Sequence, residues 1–191
     1  MYKKFVKRLF DLVFVLLAII FLGWIMVLAC ILYAVTFQFP IFFKQERIGK
    51  NNRSFVVYKF RTLKQGDANL ENRRFWLGDF LRFFSMDELP QFWNVLKGEM
   101  SLIGPRPLPT EYLALMNDEE KRRHLVLPGI TGWTQVNGRH GISWERKFEL
   151  DLFYVDNISM RLDSIIVIKT CILLLSFKKD VSLNEEKFKG N

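Results

Sequence analysis

Residues 12–35 form one apolar run without a charged side chain. At about 1.5 Å rise per residue, a straight helix over that run exceeds the roughly 30 Å hydrocarbon core of a bilayer. Lys3, Lys4, Lys7 and Arg8 precede it. A secretory signal also opens with basic residues, but this run is too long for its apolar core and no small-residue cleavage site follows. The pattern predicts a retained membrane helix, ended by Pro40. Beyond it, residues 41–47 and 54–63 read as two strands around the turn Gly49-Lys50-Asn51-Asn52. Alternation in the second strand places Val56, Tyr58 and Phe60 on one face and Lys59 and Arg61 on the other. Residues 65–72 are polar and read as a loop.

Residues 75–84, FWLGDFLRFF, gather Trp76, Phe80 and Phe83 or Phe84 along one helical stripe. Two uses fit that stripe: core packing, or a helix lying in a bilayer interface, with Arg82 reaching headgroups or a site. A second helix begins at Ser85, where Ser85 and Glu88 match the capping box S-x-x-E. Leu89, Phe92, Trp93 and Leu96 follow at helical spacing as its expected buried face, and Gly98 as its stop. Asp87, Gln91 and Asn94 lie opposite. Residues 165–177 are apolar, interrupted by Lys169, and too short to span a membrane; they should pack on the core or rest on the bilayer. The charged tail 178–191 is expected to be mobile.

Half of the 191 residues are apolar and 19 are Phe, a composition that points to surface facing lipid. The net charge of +8 favours nucleic acid, anionic headgroups or phosphorylated substrates as partners. It also makes the membrane topology harder to read. A basic N-terminus stays cytoplasmic, so a simple span would export the remainder, which holds 24 of the 28 Lys and Arg residues. A re-entrant helix that dips in and returns removes this conflict. It needs a break, and Gly23-Trp24 near the midpoint is the candidate. On the residues alone, spanning and re-entry both stand.

The chemistry concentrates between Ser85 and Pro107. Asp87 and Glu88 are adjacent carboxylates at a helix start, where N–H groups welcome phosphate. Helical neighbours diverge by about 100°, so the two need not share a role. One could attack or hold a metal while the other handles protons; capping is the plainer use of Glu88. Gly104-Pro105-Arg106-Pro107 displays a preorganised guanidinium suited to bidentate phosphate binding. Lys59 and Arg61 could form a cationic wall. Pro128-Gly129-Ile130-Thr131-Gly132 and Asn137-Gly138-Arg139 make a second Gly-rich, cationic region. There is no P-loop, no GxGxxG and no Cys/His zinc spacing, and Cys30 and Cys171 sit in apolar runs. No nucleic-acid recognition motif accompanies the positive charge.

Together these motifs resemble the bacterial sugar transferases, the monotopic polyprenyl-phosphate phosphoglycosyl transferases, in their small catalytic-domain form. The resemblance runs through Lys7-Arg8 and Asp11, Gln45-Glu46-Arg47-Ile48-Gly49, Tyr58-Lys59-Phe60-Arg61-Thr62 and Arg82. It continues through Asp87-Glu88-Leu89-Pro90-Gln91, Asn94-Val95-Leu96-Lys97-Gly98, Gly104-Pro105-Arg106-Pro107, Pro128-Gly129-Ile130-Thr131-Gly132 and Gln135-Val136-Asn137-Gly138-Arg139. It implies an α/β fold, mostly helical with a small β-hairpin, a re-entrant helix over residues 1–36, interfacial helices, and a catalytic domain over 37–191. That domain would sit at the cytoplasmic face of the bacterial inner membrane. The implied reaction moves a phosphosugar from a UDP-sugar to polyprenyl phosphate and releases UMP. Asp87 would be the nucleophile, Glu88 its acid–base partner, and Mg²⁺ would sit near Asp87. Arg106, Lys59, Arg82 and Arg139 would bind phosphate. Membrane lipids would be partners, and nucleic acid would not. A non-catalytic scaffold and a basic nucleic-acid binder are the alternatives. One departure concerns the helix break, which in small members is Ser-Pro and here is Gly23-Trp24. The ending Glu186-Lys187-Phe188 resembles members that use bacillosamine-type UDP-sugars, within a broader expectation of a UDP-N-acetylhexosamine.

Overall fold

A computed structural model describes residues 2–66, 69–138, 141–176 and 188–190. Eight α-helices are defined among these residues: α1 (Lys7–Val35), α2 (Leu70–Arg73), α3 (Trp76–Phe83), α4 (Phe92–Lys97), α5 (Asp118–Lys121), α6 (Trp133–Asn137), α7 (Trp144–Asn157) and α8 (Met160–Leu175). β1 (Phe42–Ile48) and β2 (Ser54–Phe60) form an antiparallel hairpin from Phe42 opposite Phe60 to Ile48 opposite Ser54. β3 (Ser101–Ile103) and β4 (Gly129–Thr131) form a parallel pair. The fold is mostly helical, with the expected hairpin and a second small pair that periodicity did not reveal.

α1 runs without interruption through Gly23. The break expected at Gly23-Trp24 is absent: one glycine weakens a helix by about 1 kcal/mol, too little to open it between good helix formers. Both ends of α1 grip the same body. At its start, Lys7 pairs with Asp163 at 3.0 Å, and Arg8 donates to the carbonyls of Val95 and Leu96 at 2.7 and 3.2 Å. Asp11 accepts from the Leu102 N–H at 3.0 Å, and Val15 packs among Val57, Val95 and Met100. At its end, Ala29 and Tyr33 join Phe60, Phe75, Leu77 and Leu81, and the Tyr33 hydroxyl donates to the Arg61 carbonyl. The opposite face, including Leu16, Ile20, Phe21, Trp24, Val27 and Ile31, is exposed. α1 is therefore a strap along the domain with one apolar side left open.

Asn51 and Asn52 turn the hairpin in the left-handed region, which Asn tolerates. Both faces of β2 are covered, since Val57 and Phe60 are each buried in different clusters. Its free edge is closed by a side chain: the Asn94 amide donates to the Val56 carbonyl at 2.6 Å and accepts from the Tyr58 N–H at 3.3 Å.

In α3, Leu77, Gly78 and Leu81 face inward, and Trp76, Phe80 and Phe83 are exposed. The aromatic stripe is thus surface, as an interfacial helix would have it. A Cβ at Gly78 would meet the Thr62 carbonyl carbon at 2.9 Å, so only glycine lets α3 come this close.

The segment after it corrects two expectations. Ser85 adopts left-handed geometry (φ 56°), and its side chain caps nothing. Residues Met86–Gln91 form a 3-10 turn containing Pro90, not the capped α-helix read from S-x-x-E. The buried positions that follow are Pro90, Gln91, Asn94 and Val95, while Trp93 is 57% exposed. The 3-10 turn rotates the chain, so the polar amides face inward. Gly98, with φ 82°, closes α4 as expected.

The two Gly-rich loops weld together. The Gly104 N–H donates to Thr131 and the Gly129 N–H to Pro105, both at 2.9 Å. α8 buries Leu162, Asp163 and Ile166 and exposes Ile165, Ile168, Ile172 and Leu175. Most of the tail expected to be mobile lies outside the described residues, but Phe188 is buried against Tyr112 and Phe148.

Candidate active site

A cavity of about 860 Å³ opens between these elements, within the usual range for a ligand site. Asp87, Glu88, Lys59, Arg82 and Arg106 all line it, although they come from β2, α3, the 3-10 turn and the Pro-Arg-Pro loop. The structure thus brings together every described residue expected at the site. Arg139 lies outside the described residues. One part of the lining is apolar and comes from α1 and α8, through Leu22, Ile25, Leu173 and Leu174. Other parts carry Arg47, Arg61, Arg123 and Lys147.

Glu88 is the electrostatic centre. Its Oε1 accepts from the Lys59 ammonium at 2.5 Å and from the Arg106 guanidinium at 3.3 Å. Burial by itself raises a carboxyl pKa, but these two cations overcome it and hold Glu88 at about 2. Glu88 is ionised and its partners are cations of the site, not the backbone of its own helix. Asp87, its neighbour, is partly exposed on the cavity wall. The two adjacent carboxylates therefore line the same cavity.

The Arg106 loop is held from behind. Arg123 donates to the Arg106 carbonyl at 2.8 Å. It also forms a buried ion pair with Asp151 at 2.6 Å. The other Asp151 oxygen accepts from the Thr134 hydroxyl at 2.6 Å. Arg47 donates to the Pro107 carbonyl at 3.2 Å. Burial, with the Arg106 charge nearby, lowers its guanidinium to about 10. Arg82 donates to the Thr62 hydroxyl, and its other terminal nitrogen is buried without a partner among the described residues. It has turned inward to the site. Arg61 likewise keeps a buried Nε without a partner among the described residues.

Arg47, Arg123, Asp151 and Thr134 were not singled out by sequence reasoning. Arg123 sits in the run Lys121-Arg122-Arg123-His124, which reads as a solvated basic stretch, and its partner is 28 residues away. No local pattern marks such a pair. For Arg47, the quoted motif Gln45-Glu46-Arg47-Ile48-Gly49 was the one available signal.

Among the described residues no three His, Cys, Asp or Glu side chains gather into a metal site. Magnesium commonly binds through one or two carboxylates together with substrate phosphates and water. Asp87, on the wall of this cavity, would supply one such carboxylate, and Glu88 is engaged by two cations.

Residues 2–177 match the family model described as bacterial sugar transferase. The chain is 47% identical over 163 residues to the uncharacterized sugar transferase EpsL of Bacillus subtilis, covering 82% of this chain and 81% of that one. It is 37% identical over 190 residues to the UDP-N-acetylgalactosamine-undecaprenyl-phosphate N-acetylgalactosaminephosphotransferase of Aeromonas hydrophila, covering 90% of this chain and 44% of the relative. It is 37% identical over 191 residues to the UDP-glucose:undecaprenyl-phosphate glucose-1-phosphate transferase of Xanthomonas campestris pv. campestris, covering 90% of this chain and 39% of the relative. The chain therefore spans less than half the length of the latter two.

Proposed function

Because this chain belongs to the bacterial sugar transferase family, we propose that it is a phosphoglycosyl transferase acting on a UDP-sugar and polyprenyl phosphate. It gives polyprenyl-diphosphate-sugar and UMP and begins the assembly of a glycoconjugate. The observation that carries this reading is the pairing of Asp87 with a saturated Glu88 on one cavity lined by both cations and membrane-type apolar residues. Such a cavity suits two anionic substrates, one of which arrives on a lipid tail.

In the first step an Asp87 oxygen attacks the sugar-bearing phosphorus, the bond to the bridging oxygen breaks, and UMP leaves with that electron pair. In the second, an oxygen of polyprenyl phosphate attacks the same phosphorus and the Asp87 carboxylate departs. Lys59, Arg82 and Arg106, with Arg139 added by resemblance, stabilise the charge on the transferring group. Magnesium, held by Asp87 and the phosphates, would neutralise part of the diphosphate charge. Glu88 is a weak base while its cations hold it. Incoming phosphates compete for Lys59 and Arg106, and burial then acts on Glu88 with less opposition, raising its affinity for a proton. Its role in proton handling thus belongs to the substrate complex.

The reaction is tested by incubating purified protein with Mg²⁺, polyprenyl phosphate and a panel of UDP-sugars. UMP is the expected product; release of UDP would replace phosphosugar transfer with ordinary glycosyl transfer. The relatives' printed names include N-acetylgalactosamine and glucose, so the panel should include both.

The protein sits on the cytoplasmic face of the inner membrane, with residues 1–36 inserted and the open faces of α1, α3 and α8 toward lipid. Since both ends of α1 hold the same body, they stay on one side without any hinge at Gly23. Single cysteines at Phe5 and Phe37, which are 74% and 84% exposed, in a background lacking Cys30 and Cys171, should react with an impermeant thiol reagent from the same side. Labelling from opposite sides would overturn this topology.

A further inference from the structure

Arg61, Arg82 and Gln135 carry buried polar atoms without a hydrogen-bond partner among the described residues, and all three line the same cavity. Buried polar groups in native proteins are nearly always satisfied, so unpartnered buried atoms of cavity-lining residues point to a ligand that completes them. The two arginines offer donors, which phosphate oxygens satisfy. Gln135 differs: its Nε2 and Oε1 are both buried and both unpartnered among the described residues, a donor and an acceptor side by side in one plane.

The position of Gln135 is tied to the phosphate loop. Gly132, just before α6, packs against the Gly104 carbonyl, and a side chain there would strike Gly104 and the Gln135 Oε1. Gly104 in turn is bonded to Thr131. The loop that presents Arg106 and the turn that starts α6 are one welded backbone unit. Thr134, adjacent to Gln135, is locked on Asp151. The backbone that carries the carboxamide is therefore a rigid frame.

A phosphate accepts only, so it would fill Nε2 and leave Oε1 open. An N-acetyl group is a trans amide whose N–H and C=O point in opposite directions, so it cannot meet both atoms at once. The uracil ring carries its N3–H beside its C4=O, coplanar and on one edge, and matches both. Building on the reading of this chain as a UDP-sugar enzyme, we propose that Gln135 is a substrate-recognition residue that reads the N3–H/C4=O edge of the uracil base. Neighbouring hydroxyls, such as the ribose 2′ and 3′ pair, are the competing occupant, since together they also offer a donor and an acceptor.

The test is equilibrium binding of UMP to the full-length protein in lipid nanodiscs, which requires no turnover. The unaltered protein should bind UMP about 10- to 100-fold more tightly than 3-methyl-UMP, whose N3–H is replaced by a methyl group, as expected for two lost hydrogen bonds. Gln135→Met, which keeps the side chain's length, and Gln135→Leu should weaken UMP binding by a similar factor and abolish the distinction. Retention of the full 3-methyl penalty in Gln135→Met overturns the proposal. So does a Gln135→Met variant that instead loses only its preference for UMP over 2′-deoxy-UMP, which would assign Gln135 to the ribose. Failure of the unaltered protein to bind UMP, or equal binding of UMP and 3-methyl-UMP by it, also overturns it. The UMP-release assay judges the reaction separately: turnover together with an unchanged methyl penalty removes the base assignment alone.

Discussion

Asp87→Asn should abolish phosphosugar transfer, lowering turnover by about 10,000-fold or more, the scale seen when a member of a catalytic unit is lost. The amide is nearly the same size as the carboxylate, so the cavity keeps its shape. It lacks the anionic oxygen needed to form an acyl phosphate. Incubation with UDP-sugar in the absence of polyprenyl phosphate should leave a phosphosugar adduct on the unaltered protein, visible by intact mass. The Asn variant should show none, and a thermal melt run alongside separates chemistry from folding. An adduct on the variant would move the nucleophile elsewhere.

Glu88→Gln should have the next largest effect, about 100- to 1,000-fold on turnover, with a loss of stability as well. Removing this charge takes from Lys59 and Arg106 the carboxylate they share. The pair is mostly buried, with side-chain exposures of 22% for Lys59 and 19% for Glu88. Partial solvent screening keeps the expected cost near 1–3 kcal/mol, below that of a fully buried pair. Lys59→Met combined with Glu88→Gln should cost less than the sum of the two single changes, because neither partner is then left alone. Additive effects would mean that the contact is not energetically coupled.

The same group gives a pH signature. The Glu88 carboxyl lies at about 2 in the fold against an ordinary 4.5. On acidification the unfolded chain takes up this proton first, so the stability it confers is complete above about pH 4.5 and is lost as pH falls toward 2. Acid melts of Glu88→Gln should lack this component. For the same reason, kcat/KM, which reports the free enzyme, should show no acidic limb from Glu88 above about pH 4. An ordinary carboxylate limb in kcat/KM that vanishes in Glu88→Gln would contradict the ion-paired state.

The residues of the site were easier to find than their working relations. Asp87, Glu88, Arg106, Lys59 and Arg82 were visible as charges beside prolines, glycines and apolar stripes, and all five line one cavity. The S-x-x-E spacing left capping as the plainer use of Glu88 beside acid–base work, yet its carboxylate partners are Lys59, 29 residues back, and Arg106, 18 residues on. A nearby ammonium outcompetes a backbone N–H for a carboxylate, and with Ser85 in left-handed geometry there is no regular helix start to cap. The burial of Asn94 was missed for a related reason. Periodicity assigns amides to water, whereas the open edge of β2 needed a donor and an acceptor inside.

By itself, the chain's pattern determined what depends on near neighbours. It marked an α1 too apolar to be charged anywhere along residues 12–35, a hairpin turning on Asn51 and Asn52, a helix stop at Gly98, and an arginine stiffened between two prolines. These follow from local sterics and side-chain transfer energies, which act over a few residues. Tertiary structure alone decided where α1 lies, because that depends on Lys7 meeting Asp163 and Tyr33 meeting Arg61. It also decided which face of α3 is surface, how Arg123 braces Arg106, and which cavity-lining amide is buried without a partner among the described residues. Each of these rests on burial and pairing between distant segments, and distance along the chain carries no trace of them.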